Sequence, residues 1–116
     1  MNSNKKEELL SSLNSLYKSL ELLDIKKFLI VSILYLLGKV YEGDLVKILG
    51  FSWGSLSTQL KMLMEKGFIN LRKVLTLKGP RTLISLTDKG YKKYKEELEK
   101  VNILLRVLAS TREISD

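Results

Sequence analysis

The middle of this sequence of 116 residues changes its hydrophobic period from that of helices to that of strands and back again. Three apolar segments with helical spacing each end at a glycine, namely Gly38, Gly50 and Gly67, where helices commonly end. After Gly67 the apolar residues alternate, and Lys78-Gly79-Pro80 marks a turn, so this stretch predicts a β-hairpin. A long segment with helical spacing follows from Asp88. Few folds satisfy this order of elements.

The stretch between Glu42 and Lys66 predicts two short helices that are joined by a tight turn. The first runs from Glu42 to Leu49 and the second from Trp53 to Lys66. Ser52 is a favourable N-cap for the second helix. Two short helices joined by a short turn that contains glycine are typical of a helix-turn-helix motif.

Three further helices complete the prediction. Leucines spaced alternately by four and three residues predict a helix over residues 3–23 with one apolar seam. Asp24 offers an N-cap for a helix over residues 25–37, whose apolar circumference marks it as the central buried helix, and Thr87 caps the last helix. The predicted fold is therefore mainly α with a small β-hairpin (α+β). It divides into an N-terminal helix (1–24), a central domain (25–87) and a C-terminal helix (88–116).

The formal net charge of +7 is concentrated in the middle of the chain. Residues 39–93 contain eleven basic and four acidic side chains, a net charge of +7, whereas residues 1–38 carry +1 and residues 94–116 carry −1. A localised excess of this kind is typical of a surface that neutralises phosphates. Many small proteins are basic for solubility alone, so the charge by itself leaves both interpretations open.

The helix from Trp53 to Lys66 has an apolar and a polar side. Leu56, Leu60, Leu63 and Met64 are predicted to pack on the preceding helices. The polar side begins with short side chains, which let a helix approach base edges in a major groove closely. The predicted DNA-contacting residues on and beside this helix are Ser52, Gly54, Ser55, Ser57, Thr58, Gln59 and Lys61. Any surface helix has a polar outer face, however, so the helix alone does not separate the alternatives.

The predicted hairpin places further cations next to this helix. Arg72 and Lys73 lie on its first strand, and Lys78 and Arg81 lie at its predicted tip. Between residues 61 and 81 there are six basic side chains and one acidic side chain. We expect these cations to contact DNA backbone or an adjacent minor groove. The alternative is a hairpin whose lysines merely protect a strand edge from aggregation.

The residue types exclude several classes of function. Because the chain has no Cys and no His, it lacks the usual ligands for zinc, copper and nickel, and it also lacks Ser–His and Cys–His nucleophile pairs. We therefore expect no metal site, no cofactor and no enzymatic activity. The longest apolar run, from Phe28 to Leu37, is far shorter than the roughly 20 residues that cross a bilayer. The N-terminus has no signal-peptide pattern, so no membrane association and a cytoplasmic location are expected.

Several short motifs in this order resemble those of winged helix-turn-helix regulators. They are Leu49-Gly50-Phe51-Ser52, Gly54-Ser55-Leu56-Ser57, Glu65-Lys66-Gly67-Phe68-Ile69, Pro80-Arg81-Thr82 and Leu86-Thr87-Asp88-Lys89-Gly90. The similarity covers about residues 25–95 and is to the winged helix DNA-binding domain group near the MarR and ArsR families. It implies that the helix over residues 52–66 enters the major groove and that residues 73–82 form the wing. It further implies DNA contacts by Ser55, Ser57, Thr58, Lys61, Lys78 and Arg81.

The same resemblance limits what else the chain is expected to do. The metal-sensing branch of the ArsR-type proteins uses Cys and His ligands, which this chain lacks. The family often has His or Arg at the positions of Gln59 and Thr58, so its base preference does not carry over to this chain.

The two terminal helices carry apolar seams with the alternating spacing of a coiled coil, and we expect them to form a homodimer together. The alternative is that each helix simply packs on its own domain. The predicted dimerisation residues are Leu9, Leu13, Leu16, Leu20, Tyr91, Tyr94, Leu98, Val101, Leu105 and Leu108. A two-fold dimer presents two recognition helices to successive major grooves. The dimer cleft has room for a small hydrophobic effector, but no residue selects one.

The sequence thus predicts a homodimeric transcription regulator that binds double-stranded DNA at specific sequences. Two other functions stay open. An architectural protein that binds DNA without sequence preference makes the same phosphate contacts. A winged-helix module that binds other proteins has the same fold, although the concentrated positive charge disfavours it.

Overall fold

The computed structural model describes residues 3–20 and 24–115, with side chains described up to Ser110. Helices and strands follow in the order α1 (Ser3–Ser19), α2 (Ile25–Leu37), β1 (Lys39–Tyr41), α3 (Glu42–Leu49), α4 (Trp53–Glu65), β2 (Ile69–Thr76), β3 (Gly79–Leu86) and α5 (Asp88–Ser115). The predicted class, mainly α with a small β wing, is confirmed. The first helix ends at Ser19, earlier than predicted, and Leu23 of its expected seam lies outside the described residues.

Local hydrogen bonds place the starts of α2 and α4 and the end of α3 where the sequence predicts them. An Asp24 carboxylate oxygen accepts from the backbone N–H of Lys26 at 2.8 Å, and this bond lowers the pKa of Asp24. The Ser52 hydroxyl accepts from the N–H of Ser55 at 3.1 Å, which caps α4 as predicted. Gly50 ends α3 in the left-handed conformation, with φ of 69°, that glycine adopts without strain. These caps fix the turn between α3 and α4.

One core joins α2, α3, α4 and the sheet. Its fully buried members come from all four, and they include Ile30, Leu45, Leu56 and Ile84, each with 0% exposure. The expectation that α2 is the central buried helix is only half right, because Ile25 and Leu36 are 64% and 78% exposed. The buried side of α2 supports α4 from behind, and α4 keeps its opposite side in solvent.

The sheet has three strands rather than the two of the predicted hairpin. Its order is β1-β3-β2, all antiparallel, and Val40 of β1 pairs with Ile84 of β3. Strand β1 was not predicted, because its three residues are too few to show an alternating pattern of apolar and polar side chains. This strand ties the segment that precedes α3 to the wing formed by β2 and β3.

The hairpin turn lies earlier than its glycine and proline indicate. The strands close on the pair Thr76 and Gly79, so the turn residues are Leu77 and Lys78, and Pro80 belongs to β3. The Thr76 hydroxyl donates to the Gly79 carbonyl at 2.7 Å and accepts from the N–H of Lys78 at 3.2 Å. Gly79 adopts a φ of 98°, which its lack of a side chain permits. Because β1 pairs with β3 only from Leu83 onward, β3 has a single neighbour at Pro80, where proline is tolerated.

The start of α5 is attached to the end of α4 through the Leu-Thr-x-x-Gly motif. The Thr87 hydroxyl donates to the Gly67 carbonyl at 2.6 Å and accepts from the N–H of Gly90 at 2.9 Å. The backbone N–H of Thr87 also donates to the Phe68 carbonyl at 3.0 Å. Gly90 lies so close to Phe68 that a Cβ would overlap this carbonyl oxygen. The motif therefore fixes the direction in which α5 leaves the wing.

Candidate nucleic-acid interface

The exposed face of α4 presents a row of short or flexible side chains. Gly54, Thr58, Lys61 and Glu65 follow one another at helical spacing, and all four are exposed. The Thr58 hydroxyl donates to the Gly54 carbonyl at 3.0 Å, so its own acceptor lone pairs and its methyl group face outward. A polar helix face with small residues in its first two turns is accessible to a flat or concave partner.

The flank of α4 that faces α2 is less accessible than the sequence indicates. Ser55 is half-buried, and its hydroxyl accepts from the Nζ of Lys26 at 2.9 Å. Gln59 is also half-buried, and its Oε1 has no hydrogen-bond partner among the residues that the structure describes. Lys26 is a cation beside the helix start that the sequence analysis did not single out. Its distance of 29 residues from Ser55 leaves no pattern in the sequence.

The other flank of α4 borders a groove between this helix and the wing. Ser57 and Lys61 line the groove from the helix, and Leu71 and Lys73 line it from β2. Met64 also lines it and is 44% exposed, so the prediction that Met64 packs with the leucines of α4 is wrong. It lies at the edge of the buried row, where the helix surface turns toward the wing. The groove joins the two elements that the sequence predicts to bind DNA.

The two cations at the start of the wing point to opposite sides of the sheet. Lys73 shares a face with Leu71, which pairs with the buried Ile84, so it lies on the side of the sheet that packs on the core. Arg72 pairs with Leu83 and lies on the other face. The sequence predicts both as DNA contacts, and although they alternate between the two faces of the sheet, both line the groove between α4 and the wing.

The tip of the wing is both basic and apolar. Lys78 is exposed in the turn, and its neighbour Leu77 is fully exposed. Leu75, which pairs with Pro80 across the hairpin, is 86% exposed. The alternation of leucines that predicted the strand thus continues past the core, where it no longer corresponds to burial.

Arg81 lies on β3 opposite Val74, not at the tip where the sequence analysis places it. Its guanidinium carbon lies 3.9 Å from the centroid of the Tyr41 ring. Its Nη2 atom is 3.5 Å from a carboxylate oxygen of Asp44, and its side chain is 30% exposed. Arg81 is therefore engaged with the end of β1 and the first turn of α3.

Trp53, the first residue of α4, lies against the same turn. A Cβ at Gly43 would be 3.8 Å from Trp53 Cη2 and 3.9 Å from Arg81 Nη2, so both side chains approach this glycine. The Trp53 side chain is otherwise largely in solvent, with 58% exposure. The start of α4 and the middle of β3 thus meet at the first turn of α3.

The first terminal helix contributes almost nothing to the core. None of the side chains of α1 is buried. The predicted seam residues Leu9, Leu13, Leu16 and Leu20 are all half-buried, whereas Leu10 and Tyr17 are 57% and 59% exposed. The seam side of α1 is therefore its more covered side, and α1 lies against α5.

The last helix differs between its two ends. Tyr94 is 6% exposed, packs on Phe28 and Tyr35, and shares a hydrogen bond of 2.6 Å with the hydroxyl of Ser32. The prediction that Tyr94 lies at a subunit interface does not fit this burial, because the residue is part of its own core. Tyr91 stacks on Tyr35 with ring centroids 4.9 Å apart and is 44% exposed. A hydrogen bond to Tyr91 raises the pKa of Tyr35.

Beyond Tyr94 the predicted seam is open to solvent. Leu98, Leu105 and Leu108 are 37%, 59% and 47% exposed, and Val101 is half-buried. Glu97, which directly precedes Leu98, is buried with 1% exposure. Beyond Tyr94, α5 therefore carries apolar side chains that the described residues leave partly exposed.

Two classes of site are not found in the described part of the chain. No group of three or more acidic side chains there is arranged to hold a metal ion. None of the described helices is both long enough and apolar enough to cross a membrane.

Comparisons with known proteins give one family and many similar folds. A family model described as a winged helix DNA-binding domain matches residues 25–105. Among curated proteins, no sequence is significantly similar to this chain. Solved structures are similar at low sequence identity, and at these identities the likeness shows the fold alone.

Three of these structures illustrate the range. A transcriptional regulator homologue from Pyrococcus horikoshii OT3 is 24% identical, with a TM-score of 0.77 over 84% of this chain and 97% of that chain. The PcaV transcriptional regulator from Streptomyces coelicolor, in complex with its natural ligand, is 16% identical, with a TM-score of 0.65 over 91% and 76%. A MarR mutant from E. coli, complexed with operator DNA, is 21% identical, with a TM-score of 0.59 over 82% and 72%.

Proposed function

Because the chain belongs to the winged helix DNA-binding domain family, we propose that it is a cytoplasmic transcription regulator that binds duplex DNA at specific sequences as a homodimer. One observation carries this proposal above the others. The exposed polar face of α4 and the basic wing border the same groove, and residues 61–81 hold six basic side chains and one acidic side chain. Neighbouring cations on a helix and a wing supply the concentrated positive charge that neutralises the phosphates of a duplex.

In this proposal α4 enters the major groove. Gly54, Ser57 and Thr58 approach base edges, because their short side chains let the helix backbone come close. Lys61 lies one turn further along and pairs with a phosphate. Ser52, Ser55 and Gln59 were also predicted to contact DNA. Ser52 is exposed at the helix start, whereas the other two contribute from the half-buried flank beside α2.

The wing supplies the second set of contacts. Lys78 projects from the turn, where nothing in the described chain lies beside its ammonium group, and reaches an adjacent minor groove. Lys73 and Arg72 occupy successive positions of β2 and both line the groove, from which they reach the DNA backbone. A wing of this kind positions α4 and adds affinity, while the bases beneath α4 supply specificity.

The terminal helices supply the dimer in this proposal. The 28 residues of α5 form a rod about 42 Å long, and only its first turns pack on the core. An α1 without buried side chains and an α5 with exposed leucines are unfavourable in water as they stand. A second copy that packs against both helices covers these seams and sets the spacing of the two α4 helices.

An effector is a separate question. The solved structure of PcaV contains its natural ligand, and for this chain the cleft of the proposed dimer is the place for a small hydrophobic effector. The aromatic side chains between α2 and α5, Tyr35, Tyr91 and Tyr94, pack on one another. No charged group among them selects a particular ligand, so the proposal names none.

Fluorescence anisotropy with DNA tests the proposal. The full chain is titrated into a duplex enriched by selection and into a random duplex of equal length, across a series of salt concentrations. We expect tighter binding to the selected duplex and a steep loss of affinity with salt, because each neutralised phosphate contributes about 0.9 to the logarithmic slope. Equal affinity for both duplexes identifies an architectural protein instead. No binding to either identifies a module that binds proteins.

Matched variants show whether the two elements make the contacts. Lys61→Ala and Lys78→Ala are expected to reduce the slope by about 0.9 each and to weaken binding to both duplexes. Lys95→Ala is the control, because it removes the same charge from an exposed position on α5 where the side chain lies over Tyr91. If Lys95→Ala has the same effect as the other two, the binding is a response to net charge and α4 and the wing are not its site.

A further inference from the structure

Arg81 is the one predicted DNA contact whose charged group is already engaged within the chain. Its guanidinium lies over the face of Tyr41, 3.9 Å from the ring centroid, well within the distance at which a cation and an aromatic ring attract. Its Nη2 atom is 3.5 Å from Asp44. A phosphate would compete with Tyr41 and Asp44 for the same guanidinium, so Arg81 is less free to bind DNA than a cation without such contacts.

These contacts connect three elements of the candidate interface. Arg81 belongs to β3, which forms the wing, and Tyr41 ends β1 just before α3. Trp53 begins α4 and approaches the same glycine, Gly43, as the Arg81 guanidinium does. In the outer part of the wing, from Gly79 to Thr82, β3 pairs with β2 alone. Arg81 therefore joins the part of the wing that pairs with β2 alone to the end of β1 and the first turn of α3, which Trp53 of α4 also approaches.

We propose that Arg81 is a positioning residue, which sets the angle between the wing and α4 through Tyr41 and Asp44 and does not itself bind phosphate. This inference rests on the proposed DNA-binding function and sharpens it. Both elements contact DNA at once only when their spacing matches that of adjacent grooves. We call the contacts of Arg81 with Tyr41 and Asp44 the brace. A wing without the brace samples other angles relative to α4, and fixing one angle on binding costs conformational entropy, which lowers the affinity for DNA.

The salt dependence of DNA affinity distinguishes a positioning role of Arg81 from a phosphate contact. Tyr41→Leu keeps every charge and removes the ring on which Arg81 lies. We expect it to weaken binding to the selected duplex about three- to tenfold, the range for one ring contact, while the salt slope stays unchanged. If Arg81 instead binds phosphate, Tyr41→Leu leaves the affinity unchanged or raises it, because it frees the guanidinium.

Substitutions of Arg81 itself give a second, independent readout. Lysine keeps the positive charge but lacks the planar group that stacks on a ring. We expect Arg81→Lys to bind as weakly as Arg81→Ala, and both to keep the slope of the parent protein. An Arg81→Lys protein that binds like the parent, together with a slope reduced by about 0.9 in Arg81→Ala, would overturn the proposal.

Asp44 provides the third comparison, with Glu42 as its matched control. Both carboxylates lie in the first turn of α3, but only Asp44 is within 3.5 Å of the Arg81 guanidinium among the described contacts. Removing either acid reduces repulsion of DNA. We expect Asp44→Asn to bind more weakly than both the parent and Glu42→Gln, although it too removes a charge that repels DNA, since only Asp44→Asn releases the Arg81 contact. An Asp44→Asn variant that binds as tightly as the parent, or more tightly, contradicts the positioning role.

A measurement without DNA keeps this inference distinct from the proposed function. Backbone amide hydrogen exchange of residues 71–82 is expected to be faster in Tyr41→Leu and Arg81→Lys than in the parent, with the exchange of α2 unchanged as a test of folding. If the parent chain binds no DNA but the wing exchanges faster in both variants, the brace stands and the proposed function fails. Unchanged exchange in the wing of both variants refutes the brace.

Discussion

The middle of the molecule and its two ends differ in how well they bury their apolar residues. Between Ile30 and Tyr94 twelve hydrophobic side chains are buried, and they form one core. In contrast, α1 buries none of its side chains, and beyond Tyr94 the leucines of α5 lie partly in solvent. The core of the middle is thus formed within one chain, whereas the ends carry apolar side chains that the described residues leave partly exposed. If the proposed dimer forms through these ends, folding and assembly depend on different residues.

The largest effect on folding is expected where the middle is most tightly packed. Gly90→Ala places a Cβ on the Phe68 carbonyl, so either the start of α5 or the start of β2 has to shift. We expect the free energy of unfolding to fall by about 1–3 kcal/mol, the range for overpacked sites, as measured by urea denaturation.

Gly54→Ala is the matched control for this prediction. Gly54 lies in α4 with nothing within 4 Å of the position of its Cβ. Alanine is favoured over glycine in a helix, so the free energy of unfolding is expected to rise by up to about 1 kcal/mol. If the two variants change stability equally, the contact of Gly90 with Phe68 does not constrain the fold.

A smaller effect is expected at Asp24, where the described part of the middle begins. Asp24→Ala removes the cap of α2 and is expected to cost about 1 kcal/mol at neutral pH. The bond from the Lys26 N–H lowers the pKa of Asp24 in the folded protein, so the carboxylate contributes stability above its unfolded pKa. This contribution is lost as the pH falls through the lowered folded value.

Asp24→Asn separates the cap from the charge. Asparagine caps helices as well as aspartate does but does not titrate. We expect this variant to retain most of the stability at neutral pH and to lose the acid-dependent part of it, measured by thermal unfolding across a pH series. A parent protein and an Asp24→Asn variant with the same pH profile would show that the lowered pKa has no bearing on stability.

Substitutions in the terminal helices are expected to change the stability of the core least and the oligomeric state most. Leu98→Lys and Leu105→Lys place charges on the exposed seam of α5 and touch none of the buried residues of the middle. We expect monomers by sedimentation, with near-native helicity in the winged domain. Asn102→Lys, an equally charged change at an exposed polar position of α5, is expected to leave the dimer intact. A dimer that survives both leucine substitutions would place the interface elsewhere.

What the sequence made predictable is local. The caps at Asp24, Ser52 and Thr87 and the end of α3 at Gly50 depend on residues a few positions apart, and each is where it was expected. The end of α3 follows from such a signal at Gly50, whereas no side chain caps its start at Glu42. Short-range hydrogen bonds decide these features, and short-range patterns record them.

What the sequence did not reveal depends on residues far apart in the chain. Arg81 and Asp44 are separated by 37 residues, and Lys26 and Ser55 by 29, so no periodicity links either pair. Strand β1 forms because β3 offers it a partner, not because three residues favour a strand on their own. The exposure of Met64 likewise depends on where the wing lies. Each of these features follows from the tertiary arrangement.

The start of α5 is fixed to the turn after α4, so a tilt of α5 is pivoted there. The contacts are those of Thr87 and Gly90 with Gly67 and Phe68, which lie between α4 and the wing. A rod about 42 Å long moves its far end by about 4 Å for a tilt of about 5°. If the proposed dimer is joined at the C-terminal ends of its two α5 helices, a small change in how the two copies meet changes the distance between their α4 helices. In the proposed dimer, the spacing of the two DNA half-sites would therefore depend on the stiffness of α5.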